Sequence, residues 1–341
     1  MNCLAFRFSA MGDVALTVPV LRSMLEKHED LHITLVSNKA FAPFFNELPR
    51  FEFYGVDFKE FKGVFGLYTL FRILNNYQRW DCVLDLHSVM RTWVLNRFFK
   101  WSGTPVFEID KGRKEKKALT RKENKQFVQL PHTTERYAKV FEMAGLGNEI
   151  SYGNAIHANP GAMHDLALDP AKKWIGIAPF SKHIQKEWSL EKVKLLIGKL
   201  AQKSDLELIL IGGSGKEAEK LEHISNERTN VHSIAGKLTM EEEIALVTKL
   251  SLMVSMDSFN MHLATLSGIK VVSIWGATHS FAGFGPVNGN EAYKVEVPVE
   301  ELSCRPCSVF GSKPCYRGDF ACMNQISVEM VEEKINFAIS D

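Results

Sequence analysis

The segment LELILIGGSGKEAEKLEHISNERTNVHSI, residues 206–234, shows the pattern on which the whole chain is built. A short apolar run leads into a glycine-rich turn, apolar residues then recur at three- and four-residue spacing, and a second apolar run follows. This order predicts a strand at 206–212, a helix at 214–227 and a strand at 231–235. Strands that alternate with helices form parallel sheets through right-handed crossovers.

The same alternation runs along the chain with one interruption. In the first half it predicts strands at 3–8, 33–37, 51–56, 82–87 and 105–109, and helices at 13–27, 66–76 and 89–100. In the second half it predicts further strands at 174–179, 251–256 and 270–275, and further helices at 189–203, 239–249 and 259–267. The stretch 145–170 is rich in Gly, Asn and Pro and has no sustained period, so it is predicted to be a linker.

The sequence therefore predicts an α/β fold with two doubly wound, Rossmann-like domains that face each other across a cleft. We expect an N-terminal domain at 1–155, a C-terminal domain at 170–326, and a final helix at 327–341 that packs back on the N-terminal domain. A length of 341 residues agrees with two domains.

Composition excludes several classes of protein. Apolar residues make up 45% and charged residues 24%, as in ordinary globular chains. The formal net charge of +1 offers no global attraction for nucleic acid. No apolar run reaches the roughly 18 residues of a membrane span, and the N-terminus lacks a secretory signal pattern. We expect a cytoplasmic protein that binds no nucleic acid.

Ligands of doubly wound sheets bind outside the carboxyl ends of the strands, so the chemistry is expected there. The first strand is followed by a turn with Gly12, which lets a ligand approach the backbone, and by Asp13 at the start of a helix. A helix-capping aspartate is the structural alternative. The turn has no G-x-G-x-x-G pattern, which argues against a nicotinamide-dependent dehydrogenase.

Three strand ends in the second half suit an anionic ligand, because each joins a helix start to hydroxyl, cationic or glycine residues. The candidates are Ser181, Lys182 and Lys186; Gly213, Ser214 and Glu217; and Asp257, Ser258 and His262. Gly236, Lys237 and Leu238 follow a fourth strand and complete the set. A solvated basic loop, a tight turn and a packing histidine are the structural alternatives. Together these strand ends favour a nucleoside diphosphate.

Three motifs carry a resemblance to a known family. The first is R-x-S-x-x-G-D followed by T-x-P, formed by Arg7, Ser9, Gly12, Asp13, Thr17 and Pro19. The second is S-x-x-x-x-K-x-W, formed by Ser181, Lys186 and Trp188. The third is D-S-x-x-M-H-L-A, formed by Asp257, Ser258, Met261, His262, Leu263 and Ala264. The chain resembles glycosyltransferase family nine, the ADP-heptose:lipopolysaccharide heptosyltransferases. One departure is Phe259, which stands where that family usually has Gly.

The resemblance implies a GT-B fold and an inverting transfer from a nucleotide-diphosphate sugar bound by the C-terminal domain. It also implies that Asp13 is the general base, that Lys186 binds the diphosphate and that Glu217 contacts the ribose. We expect an ADP-heptose donor, a lipopolysaccharide core acceptor and no cofactor. Another nucleotide sugar, an epimerase or hydrolase of similar architecture, and a non-catalytic nucleotide-binding module remain alternatives.

No D-x-D pair occurs, so the carboxylate cluster of a metal-dependent sugar transferase is missing from the sequence. Lys186, hydroxyl groups and helix N-termini would then stabilise the leaving diphosphate.

The basic run 111–125 contains eight Lys or Arg and two Glu. A mobile, solvated loop is the structural alternative. The family resemblance associates this segment with an acidic lipid-linked saccharide acceptor, and its charge suits peripheral binding at the cytoplasmic face of the inner membrane. The predicted acceptor-side residues are Ser9, Gly12, His87, Arg113, Lys114, Lys116 and Lys117.

Four cysteines near the C-terminus crowd into nineteen residues: Cys304, Cys307, Cys315 and Cys322. Their spacing is compatible with a structural four-thiolate zinc site, with free thiols or with a redox-formed disulfide.

Overall fold

The computed structural model describes residues 1–162 and 168–341, which form two compact units. Unit 1 contains Met1–Arg113 and Pro131–Ile156, and unit 2 contains Lys114–Leu130 and His157–Asp341. The segment 114–130 therefore groups with unit 2, whereas the sequence assigned it to the N-terminal domain. Residues 163–167 of the predicted linker lie outside the described residues.

Unit 1 is built on a five-stranded parallel sheet of order β3-β2-β1-β4-β5. Its strands are β1 Asn2–Phe6, β2 His32–Asn38, β3 Phe51–Val56, β4 Cys82–Asp85 and β5 Val106–Glu108. The helices of this part of the chain are α1 Met11–Ala15, α2 Val18–Lys27, α3 Gly63–Tyr77, α4 Met90–Trp101, α5 Arg113–Leu119 and α6 Thr133–Met143.

The central strand β1 explains why this sheet forms. Leu4 pairs with Thr34 on one side and with Val83 on the other, and all three residues are buried. A strand covered on both faces has a continuous apolar sequence, as residues 3–6 do.

The helix predicted at 13–27 is in fact two helices, α1 and α2. Pro19 lies in the first turn of α2, where its missing N–H costs nothing. Inside one continuous helix, the same proline would remove a hydrogen bond and clash with the preceding turn.

Unit 2 is built on a six-stranded parallel sheet of order β11-β10-β9-β6-β7-β8. Its strands are β6 Lys173–Ala178, β7 Leu206–Leu210, β8 Val231–Ser233, β9 Leu252–Met256, β10 Val271–Trp275 and β11 Lys294–Glu296. Its helices are α7 Leu190–Leu200, α8 Lys216–Ser225, α9 Met240–Val247, α10 Phe259–Leu266, α11 Ala321–Asn324 and α12 Val328–Ser340.

The C-terminal helix α12 packs within unit 2, so the prediction that it returns to the N-terminal domain is wrong. Val331, Ile335 and Ala338 are buried in the core that also contains the strands of unit 2. Their three- and four-residue spacing gives α12 one apolar face. Lys199 of α7 forms ion pairs with Glu329 and Glu332 of α12, each at 3.0 Å.

Within the described residues, every helix is too short or too polar to cross a bilayer.

Candidate functional site

The carboxyl end of β1 places a carboxylate beside a buried cation. Arg7 is 5% exposed, and its Nη2 lies 2.9 Å from Oδ1 of Asp13. Arg7 Nη1 also donates to the carbonyl of Leu86 at 2.8 Å, which holds the guanidinium in place. The Asp13 side chain is 26% exposed, so it remains partly accessible from solvent. The N-cap of α1 is Ala10, and the alternative of a capping aspartate is therefore wrong.

The neighbouring strand end, after β4, positions His87. Asp85 is fully buried, and its Oδ1 accepts the backbone N–H groups of His87 and Ser88, both at 2.8 Å. Burial, together with the positive charges of Arg7, Lys111 and Arg91, lowers the pKa of His87 to about 3. His87 is therefore neutral at physiological pH and can offer only neutral hydrogen-bonding groups.

Lys111 also belongs to this site, although the sequence analysis placed it only in the basic run 111–125 and did not name it among the acceptor-side residues. Burial lowers its pKa to about 8, the charges of Arg7 and Arg113 act in the same direction, and Asp13 and Asp85 oppose them. The ammonium is thus half-buried among cations at the end of the sheet. Its position just after β5 was the available signal, because β5 lies beside β4.

The predicted acceptor-side residues fall into two groups. Ser9 is exposed, Gly12 lies in α1, and Arg113 donates to the carbonyl of Ser88 at 3.3 Å, all in unit 1. Lys114 and Lys117 are exposed and belong to unit 2.

The basic run is helical over 113–119, and two of its lysines pack on the rest of unit 2, so the run is more than a solvated loop. Residues 113–119 form α5, and Lys116 is only 8% exposed, with Nζ 4.3 Å from the ring centroid of Phe284. Lys125 Nζ donates to three backbone carbonyls, those of Ser303, Cys304 and Arg305. A cation held over an aromatic ring is not a free surface charge, so Lys116 is not available to an acceptor in this arrangement.

In unit 2, the ends of the adjacent strands β6 and β9 bring Ser181, Lys186 and Asp257 together. Lys186 Nζ lies 3.3 Å from Oδ2 of Asp257, and the two side chains are 13% and 8% exposed. Ser181 Oγ donates to the Asp257 backbone carbonyl at 3.3 Å. Thr278, which sequence reasoning missed, donates its hydroxyl to Asp257 Oδ2 at 2.7 Å. Thr278 follows the predicted strand at 270–275, so the expectation that ligands bind at the carboxyl ends of the strands could have identified it as a site residue.

A glycine makes room for the Lys186 side chain. Gly311 has φ +74°, and a Cβ at this position would lie 2.5 Å from Lys186 Cγ. Any larger residue would displace the aliphatic stem that carries the ammonium.

The ends of β7 and β8 form a second pair of adjoining turns. Gly213 N–H donates to Glu217 Oε2 at 2.8 Å, and Gly236 N–H donates to the Gly212 carbonyl at 3.2 Å. Gly236 has φ +66°, and a Cβ there would lie 2.8 Å from Ser214 Cα. Ser214 and Lys182 are exposed, Leu238 is half-buried, and Lys237 forms an ion pair with Glu222 at 2.7 Å.

The α10 segment is arranged as the sequence predicts. Ser258 is the N-cap of α10, has extended backbone, and its Oγ lies 3.1 Å from Ser255 Oγ. His262 is buried, and Phe259 is half-buried in the first turn.

A buried arginine supports the loop that carries Thr278. Arg305 is 1% exposed, and its guanidinium donates to the carbonyls of Gly276, Trp275 and Thr278 and to Oε2 of Glu296. Burial opposes ionisation of Glu296, but the hydrogen bond from His279 and the charges of Arg305 and Lys294 outweigh it and lower its pKa to about 2. Neither Arg305 nor Glu296 was predicted, because their partners are brought near only by the fold.

The family model for glycosyltransferase family 9 (heptosyltransferase) matches residues 68–309, which is most of the chain and includes parts of both units. The chain belongs to glycosyltransferase family 9. This confirms the family resemblance, and two of the three motifs that carry it, at 181–188 and 257–264, lie within the matched residues.

Relatives and solved structures similar to this family 9 chain match most of its length. It is 25% identical to the lipopolysaccharide core heptosyltransferase OpsX of Haemophilus influenzae over 292 residues, 83% of this chain and 80% of the relative. A family 9 glycosyltransferase structure from Veillonella parvula superimposes with a TM-score of 0.75 at 18% identity, covering 99% of this chain and 97% of that one. The Escherichia coli heptosyltransferase WaaC, solved with ADP-2-deoxy-2-fluoro heptose, gives 0.69 at 18% identity, covering 99% of each chain. The two parallel α/β sheets are thus those of the GT-B heptosyltransferases, as predicted.

The four C-terminal cysteines of this family 9 chain, Cys304, Cys307, Cys315 and Cys322, are free thiols that line one small cavity with Tyr316 and Phe320. In the described part of the chain, no group of three or more His, Cys, Asp or Glu side chains is placed to hold a metal ion. The geometry therefore does not form the four-thiolate zinc site that the spacing allowed. Burial raises the pKa of Cys322 to about 11, so this thiol stays protonated at neutral pH.

Proposed function

We propose that this heptosyltransferase transfers a heptose, with inversion, from an ADP-activated donor to a lipopolysaccharide core acceptor. Three findings support this proposal: the family membership, the lipopolysaccharide core heptosyltransferase activity in the name of the Haemophilus influenzae relative, and the ADP-heptose analogue in the Escherichia coli structure. Because such an acceptor is lipid-linked, we place the enzyme peripherally at the cytoplasmic face of the inner membrane.

The observation that carries the donor half of the proposal is the group formed by Lys186, Ser181, Asp257 and Thr278. The ammonium of Lys186 supplies positive charge beside two hydroxyls, at strand ends that also face the first turn of α10. In the proposal, the diphosphate of ADP pairs with the Lys186 ammonium and accepts hydrogen bonds from the backbone N–H groups at the start of α10, while Glu217 binds the ribose. Negative charge grows on the diphosphate as the sugar bond breaks, and fixed dipoles and cations stabilise it.

The acceptor half rests on Asp13 and its cationic surroundings. Arg7 fixes one carboxylate oxygen of Asp13, which leaves the accessible part of the group to accept a proton. In the proposal, the acceptor hydroxyl attacks the anomeric carbon, Asp13 takes the hydroxyl proton and ADP leaves from the opposite face. Lys111, Arg113 and neutral His87 would bind an acidic acceptor nearby.

The reaction in this proposal needs no metal, because Lys186, hydroxyl groups and the α10 N-terminus supply the charge that a metal would otherwise provide. The transfer rate should then be unchanged by a chelator. A rate that collapses with chelator and returns with magnesium would contradict this part of the proposal.

The test is to incubate the purified chain with ADP-heptose and a core acceptor that lacks its terminal heptose. We expect ADP release only when the acceptor is present, and an acceptor mass increase of one heptose. ADP release without acceptor would instead indicate a hydrolase, and conversion of the donor into its epimer would indicate an epimerase. ADP binding with no reaction would leave a nucleotide-binding module. A panel of other nucleotide sugars tests the identity of the donor.

A further inference from the structure

Helices α3 and α4 of unit 1 expose an unusual concentration of apolar side chains. Among the described residues, eight of the seventeen exposed large apolar side chains lie on these two helices. Phe65 is 89% exposed and Trp101 is 73% exposed. Single exposed apolar residues are common, but a concentration of this kind marks an interaction surface.

These residues form one continuous face. On α3, Phe65, Tyr68 and Arg72 recur at three- and four-residue spacing, and on α4, Trp93, Arg97 and Trp101 recur every four residues. The two rows meet at Phe98, whose ring centroid lies 5.3 Å from that of Tyr68 and 5.9 Å from that of Trp101. We call these residues the aromatic-basic face: Phe65, Tyr68, Arg72, Trp93, Arg97 and Trp101.

The charge on this face has one sign. Neither α3 nor α4 contains Asp or Glu, whereas the two helices contain Arg72, Arg91, Arg97 and Lys100. Lys100 pairs with Glu108 at 2.7 Å, but within the described residues no carboxylate pairs with Arg72, Arg91 or Arg97. Exposed Trp and Tyr beside unpaired arginines are typical of surfaces that lie in a membrane interface rich in anionic lipids.

The face also adjoins the Asp13 site. Trp93 Nε1 donates to Ser88 Oγ at 3.1 Å, and Arg113 lies over the Trp93 ring while donating to the Ser88 carbonyl. Ser88 follows Leu86 and His87, and the carbonyl of Leu86 accepts from Arg7, the partner of Asp13. A short series of contacts within unit 1 therefore joins the aromatic-basic face to the predicted catalytic base.

We propose that the aromatic-basic face is the membrane-docking surface of this protein and that its partner is an anionic phospholipid bilayer. Docking there holds the Asp13 site next to the surface from which a lipid-linked sugar projects. The inference rests on the proposed function for the nature of that acceptor, but not for the binding itself. The face differs from the basic run 111–125, whose Lys116 and Lys125 are engaged within unit 2.

The test is co-sedimentation of the full chain with vesicles of phosphatidylethanolamine and phosphatidylglycerol, compared with vesicles of phosphatidylcholine alone. We expect binding to the anionic vesicles that weakens between about 0.1 and about 0.5 M salt, because exposed charges are then screened. Phe65→Ser/Trp101→Ser should bind at least about tenfold more weakly, because two large apolar side chains no longer leave water.

Arg72→Gln/Arg97→Gln tests the charge separately. Each arginine near an anionic surface contributes about fivefold to binding, so the double variant should bind about 25-fold more weakly at low salt and show less salt dependence. Leu195→Ser/Phe337→Ser is the matched control, because these unit 2 side chains are 62% and 52% exposed. Its vesicle binding should equal that of the wild type.

The inference would be overturned if Phe65→Ser/Trp101→Ser bound anionic vesicles as tightly as the wild type does. It would also be overturned if the wild-type protein did not bind anionic vesicles. Sedimentation velocity identifies a competing role. If the variant converts a dimer into a monomer and leaves vesicle binding intact, the face is a contact between two copies and the inference fails. Vesicle binding without heptosyl transfer would instead refute the proposed function alone.

Discussion

Replacing Lys186 with methionine tests whether this side chain binds the donor diphosphate or only neutralises Asp257. The substitution removes the ammonium that lies 3.3 Å from Asp257 Oδ2 but retains an aliphatic stem in the space beside Gly311. Packing is therefore nearly preserved, and the change isolates the charge.

The size of the effect follows from the bonds that are lost. A hydrogen bond to a charged group contributes about 1.5–3 kcal/mol, so the Kd for ADP should rise about 10- to 150-fold. Turnover should fall as well, because the interaction strengthens when charge develops on the leaving phosphate. Asp257 keeps the hydrogen bond from Thr278 but loses its cation. Breaking a buried ion pair costs about 3–5 kcal/mol, so the free energy of unfolding should also decrease.

The assay is isothermal titration of ADP at a temperature well below the Tm of the variant. Two controls separate binding from stability. Asp257→Asn keeps an oxygen for the Thr278 hydroxyl and frees Lys186, so ADP should bind at least as tightly as to the wild type. Lys192→Met removes an ammonium that donates to the carbonyls of Asn324 and Ile326, so it should lower Tm without changing the Kd for ADP.

If Lys186→Met binds ADP as the wild type does, while its Tm falls as in Lys192→Met, the side chain only neutralises Asp257. The assignment of the diphosphate site to the ends of β6 and β9 would then be wrong.

Three further predictions concern single titratable groups. Asp13→Asn should lower kcat by about 10²–10⁴ with an unchanged Kd for ADP in calorimetry, because the base acts on the acceptor; wild-type turnover at saturating acceptor would refute its role. The acceptor KM should rise as pH increases past the Lys111 pKa of about 8, because the Lys111 side chain loses its charge above this pH. Lys111→Arg stays charged and should make the acceptor KM nearly independent of pH, whereas an equally steep rise of KM in this variant would exclude Lys111 from acceptor binding. The pKa of Glu296 is about 2 in the folded state and 4.5 for a free glutamate, so its ionised form stabilises the fold by about 3 kcal/mol above about pH 4.5, and this contribution is lost as pH falls towards 2. The loss of unfolding free energy caused by Glu296→Gln, measured by urea unfolding, should therefore become smaller over that pH range, and a loss that does not change with pH would contradict the ion-pair account.

Local sequence determined most of the elements. Apolar periodicity depends only on neighbouring residues, so the strands and most helices could be predicted from it. Parallel sheets place the carboxyl ends of their strands along one edge. For this reason Asp257 was predicted to share a site with Ser181 and Lys186, which lie about 70 residues before it, and the structure places the three residues together.

Tertiary structure alone decided where charged and terminal segments pack. Residues 113–119 carry the charge pattern of a solvated loop, yet Lys116 is buried because Phe284, far away in the sequence, lies beneath its ammonium. The apolar face of α12 could cover either sheet, and only the fit of Val331 and Ile335 to the core of unit 2 selects one. Long-range contacts also give Lys111 and Glu296 their shifted pKa values. Sequence periodicity shows that a face is apolar or a segment charged, but burial depends on which distant residues the fold brings against it.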